Sequence, residues 1–230
     1  MDQPKKPRLI TAVERQKRSR VRYNIYLDDE YAFSIHEDLL VKHRLLKGEI
    51  IEGDHLEKLM LEDEKHRAYV DAIRFISIRA RSIKEVEQKL TSRGYEPPMI
   101  TIIVQELLER EYLDDQHFAE LWAQERMTLQ KKGRKWVEIE LKQKGVDQQF
   151  ITAATGKVAE EDECKYALEA AQKKWKQTSG DTFIRKRKLY EFLLRRGFSP
   201  SVVSITVKAI DGIPLEEEWE LDNQTDFDEM

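Results

Sequence analysis

The sequence predicts a mainly α protein: three tandem three-helix repeats in an elongated, curved array, preceded by a small β-hairpin-containing N-terminal domain. Three observations predict it. The strings LTSRGYEPPMI, LKQKGVDQQFI and LLRRGFSPSVV begin at residues 90, 141 and 193, and self-similarity at such a period marks supersecondary units that stack on their neighbours. VRYNIYLDDEYAFSI, ahead of the repeats, alternates apolar and polar residues as a half-buried hairpin does. Charged residues make up 37% of the 230, above the roughly 25% of ordinary soluble domains, which suits much helical surface around little bulk interior.

In chain order, residues 1–60 read as the N-terminal domain. Its hairpin turns at Asp28, Asp29 and Glu30, and ITAVERQ before it can add a strand. A short helix follows near 36–45, and LKGEII, with Gly48, reads as a turn into a last extended piece. Helical texture begins near Leu56 and divides into repeats at 61–112, 113–158 and 159–211, with leading helices near 66–79, 115–130 and 160–177. In each repeat the second helix ends at a glycine able to take the left-handed C′ conformation: Gly94, Gly145 and Gly197. Asp147 and Ser199 are the expected N-caps of the next helix, Glu96 a poorer one, and Pro97 and Pro200 fall where a missing N–H costs little. Tyr95, Val146 and Phe198 can pack back on the helix they leave, against the pairs Val86/Leu90, Val137/Leu141 and Leu189/Leu193. Ile100, Ile103, Val104, Leu107 and Leu108 form one helical stripe.

The longest strongly apolar run, MITIIV, is far shorter than a spanning helix, and no export signal is legible. A soluble, cytoplasmic chain without membrane contact is expected. The single cysteine, Cys164, lies on an apolar helical stripe with Ala167, Leu168, Ala171 and Trp175, and reads as an inert core thiol. The net charge of −4 is unevenly distributed: residues 211–230 hold nine acids and no base, which leaves +5 on residues 1–210. A basic body suggests an anionic partner. The tail, 212–230 and expected to be flexible, is either an internal competitor for the same basic surface or a solubilising arm.

Residue patterns for catalysis are absent. Asp114-Asp115 with nearby His117 is better explained as a helix start, with Phe118, Leu121 and Trp122 on the buried face. The five histidines make no i, i+4 pair joined to a glutamate, and there is no phosphate loop or GxSxG. We expect no enzyme activity, no cofactor and no metal. Basic residues are the stronger signal, clustered around the second helix of each repeat. The first cluster is Arg79, Arg81, Lys84, Lys89 and Arg93; the second is Lys131, Lys132, Arg134, Lys135, Lys142 and Lys144. The third is Lys173, Lys174, Lys176, Arg185, Lys186, Arg187, Lys188, Arg195 and Arg196. In register, these corners would form a stripe able to follow a phosphate backbone or an acidic protein groove. Arg15, Lys17, Arg18, Arg20 and Arg22 form a second basic face on the hairpin. Trp122, Trp136 and Trp175 fit core positions better than base-stacking platforms.

RARSIKEVEQKLTSRGYEPPMI, LLEREYLDDQHFAELW and LKQKGV together resemble the RecX family of recombination regulators, in the longer form that carries an extra N-terminal domain. The matching residues are Arg79, Arg81, Ser82, Glu85, Lys89, Leu90, Arg93, Gly94 and Tyr95, then Tyr112, Leu113, Asp114, Asp115, Phe118 and Ala119, then Leu141, Lys144, Gly145 and Val146. The likeness is good over 79–146 and weaker in the third repeat. Two departures stand out: Glu111 replaces a small or glycine residue, and GRKW replaces a common Gly-Pro. The resemblance implies a non-catalytic modulator of the RecA recombinase in DNA repair, homologous recombination and the SOS response. Such a protein lies as a monomer in the groove of the RecA filament on single-stranded DNA and restrains ATP hydrolysis, strand exchange and growth. Two other readings stand beside it: a helical-repeat protein that binds single- or double-stranded DNA directly, and a structural adaptor.

Overall fold

The computed structural model describes residues 6–210; the acidic tail lies outside the described residues. The chain forms two compact units, Met1–Ala80 with Val86–Tyr112, and Arg81–Glu85 with Leu113–Met230.

The first unit opens with four antiparallel strands, β1 (Arg8–Arg15), β2 (Arg22–Leu27), β3 (Glu30–His36) and β4 (Ile50–Ile51), in the order β3-β2-β1-β4. The hairpin closes in a two-residue turn with both central residues left-handed, Asp28 at φ 51° and Asp29 at φ 67°. That geometry matches the strand twist, and aspartate tolerates it. Arg8 clasps the turn by donating to the Asp28 carboxylate at 2.8 Å; this bond and the Leu9 N–H hold the Asp28 carboxyl below its usual range. Helix α1 (Glu37–Lys42) leads through β4 into the long α2 (Gly53–Ile76). Ile10, Ile25, Leu27, Phe33, Ile35, Leu39 and Leu59 form the core between sheet and helices.

One buried ion pair locks sheet to helix. The Asp63 carboxylate, on α2, accepts from Arg22 on β2 at 2.8 Å and from the His36 N–H at 2.9 Å. Arg67 stands 3.2 Å from the same carboxylate, so Asp63 keeps a cation when Arg22 is removed, whereas removing Asp63 strands the Arg22 charge, a loss of about 3–5 kcal/mol. Helix α2 runs unbroken through residues 60 and 61, so the expected leading helix near 66–79 is the second half of a longer one. The unit ends with α3 (Ile83–Ser92), whose first residues belong to the second unit, and α4 (Pro97–Glu109). Ile100, Ile103, Val104 and Leu107 are buried as the stripe predicts. Tyr95 donates to Asp71 on α2 at 3.2 Å, and burial plus that carboxylate push its hydroxyl up to about 12.

The second unit holds two three-helix repeats. The first comprises α5 (Asp115–Gln124), α6 (Arg134–Gln143) and α7 (Gln148–Gly156); the second comprises α8 (Glu160–Lys176), α9 (Thr182–Arg195) and α10 (Pro200–Ile210). Phe118, Met127, Val137, Leu141 and Ile151 fill the first core, and Trp175, Leu189, Leu193, Phe198 and Val203 the second. Tyr166 packs against both. Two expectations change here. The leading helix near 115–130 is α-helical only to Gln124 and continues as a π-helix over Glu125–Leu129, whose wider turn accompanies the complete burial of Met127. Leu121, expected on the buried face with Phe118, is 43% exposed, because it lies outside the arc that Phe118, Ala119 and Ala123 present to the core.

Candidate functional site

The repeated string is a helix stop of one design. The N–H groups of Tyr95, Val146 and Phe198 reach back to the carbonyls of Leu90, Leu141 and Leu193 at 3.3, 3.2 and 3.3 Å, the six-residue closure of a Schellman motif. In the second unit each such stop is also a joint. A Cβ on Gly145 would meet the Lys84 side chain at 2.7 Å, and one on Gly197 would meet the backbone N of Trp136 at 2.3 Å. Both glycines have positive φ, 80° and 87°. They are therefore required twice, by conformation and by the helix start that lies against them.

At the Gly145 joint the matched motif residues prove to be capping groups. Ser82 is the N-cap of α3: its Oγ accepts from the Glu85 N–H and the Glu85 carboxylate accepts from the Ser82 N–H, each at 3.2 Å. The same Oγ donates to the Lys144 carbonyl at 2.8 Å, and Lys84 Nζ donates to the Gln143 carbonyl at 3.1 Å. Lys144 Nζ turns onto Glu85 at 2.9 Å, and Arg81 stands 4.0 Å from the same carboxylate. The paired aspartates divide between two helices. Asp114 caps its own helix, accepting from His117 N–H at 2.9 Å, while Asp115 caps α3, accepting from Ile83 N–H at 2.9 Å.

Trp122 completes this joint from the side. Its ring lies under the Arg126 guanidinium at 3.9 Å and the Lys144 ammonium at 4.2 Å, so it is a cation platform inside the fold. Its indole N–H and Arg126 Nε both donate to Glu140 at 2.9 Å. Burial raises the Glu140 carboxyl, but donors from Trp136, Trp122 and Arg126 outweigh it and leave the group below its usual value. Trp175 is buried beneath Arg185, whose guanidinium sits 3.8 Å above the ring and donates to the Trp175 carbonyl at 2.9 Å.

The Gly197 joint gathers several basic side chains. Gly133 N–H donates to the Arg196 carbonyl at 2.8 Å and Lys135 N–H to the Gly197 carbonyl at 3.1 Å. Arg196 reaches the carbonyls of Gln130 and Lys131 at 2.6 and 3.0 Å. Beside it Lys132 lies 3.7 Å over the Trp136 ring. Burial lowers the Lys132 ammonium, the Arg196 charge lowers it further, and burial lowers Arg196 as well. Next to them opens a cleft of about 500 Å³ lined by Lys131, Lys173, Lys174 and Arg196, with Glu169 and Phe192. A second hollow, of about 310 Å³, shares Lys174 and adds Lys188 and Arg195.

The predicted basic residues therefore divide. Arg81, Lys84, Lys144, Arg185 and Arg196 make contacts that hold the unit together. Lys131 pairs with Glu169, and Arg134 stands 3.6 Å from buried Glu163. Lys135, Lys142 and Lys173 are exposed, and Lys132 and Lys174 half-buried. Arg187 and Arg195 are exposed and share Glu191, and Lys186 and Lys188 accompany them on α9. In the first unit Arg79 and Arg93 are exposed, while Lys89 lies 5.7 Å over Phe75. Of the hairpin set, Arg22 is spent on Asp63, and Arg15 donates to the Arg20 carbonyl; Lys17, Arg18 and Arg20 are exposed.

Both departures from the expected motif acquire a physical reading. Glu111 occupies a left-handed position, φ 59°, which explains why glycine is the expected residue there. Arg134, in place of proline, supplies an N–H that donates to buried Glu163 at 3.1 Å, a bond proline would forfeit.

The comparisons with known proteins agree along the chain. Residues 8–52 match the regulatory protein RecX N-terminal domain, and 68–107, 114–154 and 160–206 match the first, second and third RecX three-helix domains. A regulatory protein RecX of Bacillus cereus (strain B4264) is 33% identical over 207 residues, spanning 88% of this chain and 77% of its own. The one from Bacillus cytotoxicus is 31% identical over the same spans. A crystal structure of regulatory protein RecX superposes with TM-score 0.67 at 26% identity, over 87% of this chain and 99% of that one. RecX from Lactobacillus salivarius gives 0.60 at 25% identity, over 66% and 99%. A four-part domain match in order, relatives above 30% identity and a common fold carry one conclusion: this chain belongs to the RecX family of regulatory proteins.

Proposed function

We propose that the protein regulates homologous recombination and DNA repair by binding the RecA filament on single-stranded DNA, in its groove, and restraining its ATPase, strand exchange and growth. The observation that carries this reading is the basic cleft of about 500 Å³ lined by Lys131, Lys173, Lys174 and Arg196. It is an arrangement suited to phosphate or carboxylate groups on a polymer. Exposed basic residues recur at the α3, α6 and α9 corners, so several weak contacts can engage successive sites of a helical filament, and effective concentration multiplies them. The role needs no bond-making chemistry in this chain, and the caps at Asp114 and Asp115 use the carboxylates that looked most enzyme-like.

The test is the single-stranded-DNA-dependent ATPase rate of RecA, titrated with this protein at physiological salt. A fall at substoichiometric ratios supports action across protomers or at growing ends. An unchanged rate with retained binding to bare DNA favours the direct DNA-binding reading, which the same basic cleft supports. Among the described residues no helix is long and apolar enough to cross a membrane.

A further inference from the structure

The first unit contains a cluster that the proposed function does not use. His36 ends β3, Asp38 opens α1 and His66 lies in the middle of α2. One ring nitrogen from each histidine and one Asp38 carboxylate oxygen all lie within 4.8 Å of one another. The His36 and His66 rings have centroids 4.4 Å apart, and His36 Nδ1 stands 3.4 Å from the Asp38 carboxylate. Nε2 of His66 is buried and has no hydrogen-bond partner. A buried nitrogen without a partner, on an imidazole packed against a second imidazole and close to a carboxylate, is a costly arrangement for a fold to keep without a ligand.

We infer that His36, Asp38 and His66 form a divalent-metal site, best suited to Zn²⁺, with three protein ligands and one open coordination position. Bonds of about 2.0–2.1 Å in tetrahedral geometry put neighbouring donors roughly 3.4 Å apart. The His36–Asp38 separation already has that value, and modest ring and carboxylate rotations close the wider gap, since the Asp38 side chain is 70% exposed. Two imidazoles with one carboxylate are borderline donors that suit zinc better than magnesium or calcium. Burial lowers the His66 pKa, His36 and Arg22 lower it further, and Asp38 and Asp63 oppose them, a net direction that favours the neutral ring a ligand must be. The nearby Arg22 cation would weaken a metal, but Asp63 already pairs with it at 2.8 Å. His36 Nδ1 currently accepts the Asp38 N–H at 3.3 Å, a long bond that exchanges cheaply for a metal ligand. The ion would pin the end of β3 and the start of α1 to α2, reinforcing the join made by Arg22 and Asp63.

The experiment is a Co²⁺ titration of the tag-free full chain, stripped with a chelator and carrying Cys164→Ser so that no thiolate competes. The expected result is one equivalent bound, visible absorption with the intensity of a four-coordinate ion, displacement by Zn²⁺ and a higher Tm with Zn²⁺. Asp38→Asn, on an exposed side chain, and His66→Gln should each weaken binding by more than about tenfold, with His55→Gln unchanged. If His66→Gln loses its circular dichroism spectrum, the Asp38→Asn result decides. Absence of saturable binding, or equal affinity in wild type and Asp38→Asn, overturns the site, and neither outcome bears on recombinase regulation.

Discussion

Replacing the corner glycines by alanine should reveal a graded series. Gly94, Gly145 and Gly197 share a sequence context and a positive φ of 87°, 80° and 87°, so each pays about 1–2 kcal/mol for placing a Cβ in the left-handed region. What a Cβ would touch differs. At Gly94 nothing lies within 4 Å, at Gly145 the Lys84 side chain lies at 2.7 Å, and at Gly197 the Trp136 backbone N lies at 2.3 Å. A lysine stem can swing aside in part, whereas a helix backbone that is itself hydrogen-bonded through Gly133 and Lys135 cannot. Overpacking against an immobile neighbour adds about 1–3 kcal/mol. The expected losses are therefore roughly 1 kcal/mol for Gly94→Ala, about 2 for Gly145→Ala and about 3–4 for Gly197→Ala. Urea denaturation followed by far-ultraviolet circular dichroism measures all three, and tryptophan fluorescence reads the second unit separately through Trp122, Trp136 and Trp175. If Gly197→Ala costs no more than Gly94→Ala, the joint does not constrain that glycine and the reading of the corner as a contact is wrong.

Four further outcomes are expected. Glu111→Gly should raise Tm, because relief of left-handed strain, about 1–2 kcal/mol, exceeds the added chain entropy of glycine, about 0.5–1 kcal/mol; a lower Tm would contradict it. Lys132→Gln should weaken filament or DNA binding and reduce the slope of log affinity against log salt by about one, whereas an unchanged slope would remove Lys132 from the contact. Deleting residues 212–230 removes eight acids and no base, shifting net charge from −4 to +4; association with single-stranded DNA should accelerate at low salt, and an unaltered rate would leave the tail a solubilising arm. Glu140 has a folded-state pKa below its ordinary value, so its contribution to stability is present above the ordinary carboxylate range and fades as pH falls through the folded value. Glu140→Gln should therefore lower Tm at about pH 7 and approach wild type only as pH falls below the ordinary carboxylate range and through the folded value, which a thermal series across pH reads directly.

Much of the fold was legible because its determinants are local. A glycine that ends a helix, a proline or small polar residue that starts the next, and apolar residues at i and i+4 act within a dozen residues, so the three corners, the Asp28-Asp29 turn and the Asp114 cap could be read from the string alone. The basic clusters were equally visible as composition. Their division was not, because it depends on partners distant in sequence: Lys144 meets Glu85 across 59 residues, Arg22 meets Asp63 across 41, and Arg196 meets the Gln130 carbonyl across 66. Asp115 carried no local sign that it caps a helix 32 residues earlier. A spacing search for metal ligands on one helix likewise cannot see His36 and His66, which only the packing of β3 on α2 brings together. The sequence by itself determined the repeat architecture and the positive charge of its corners, since propensity, capping and patterning are short-range. The tertiary structure alone decided which of those charges hold the protein together and which remain for a partner, since burial and pairing are properties of the folded surface.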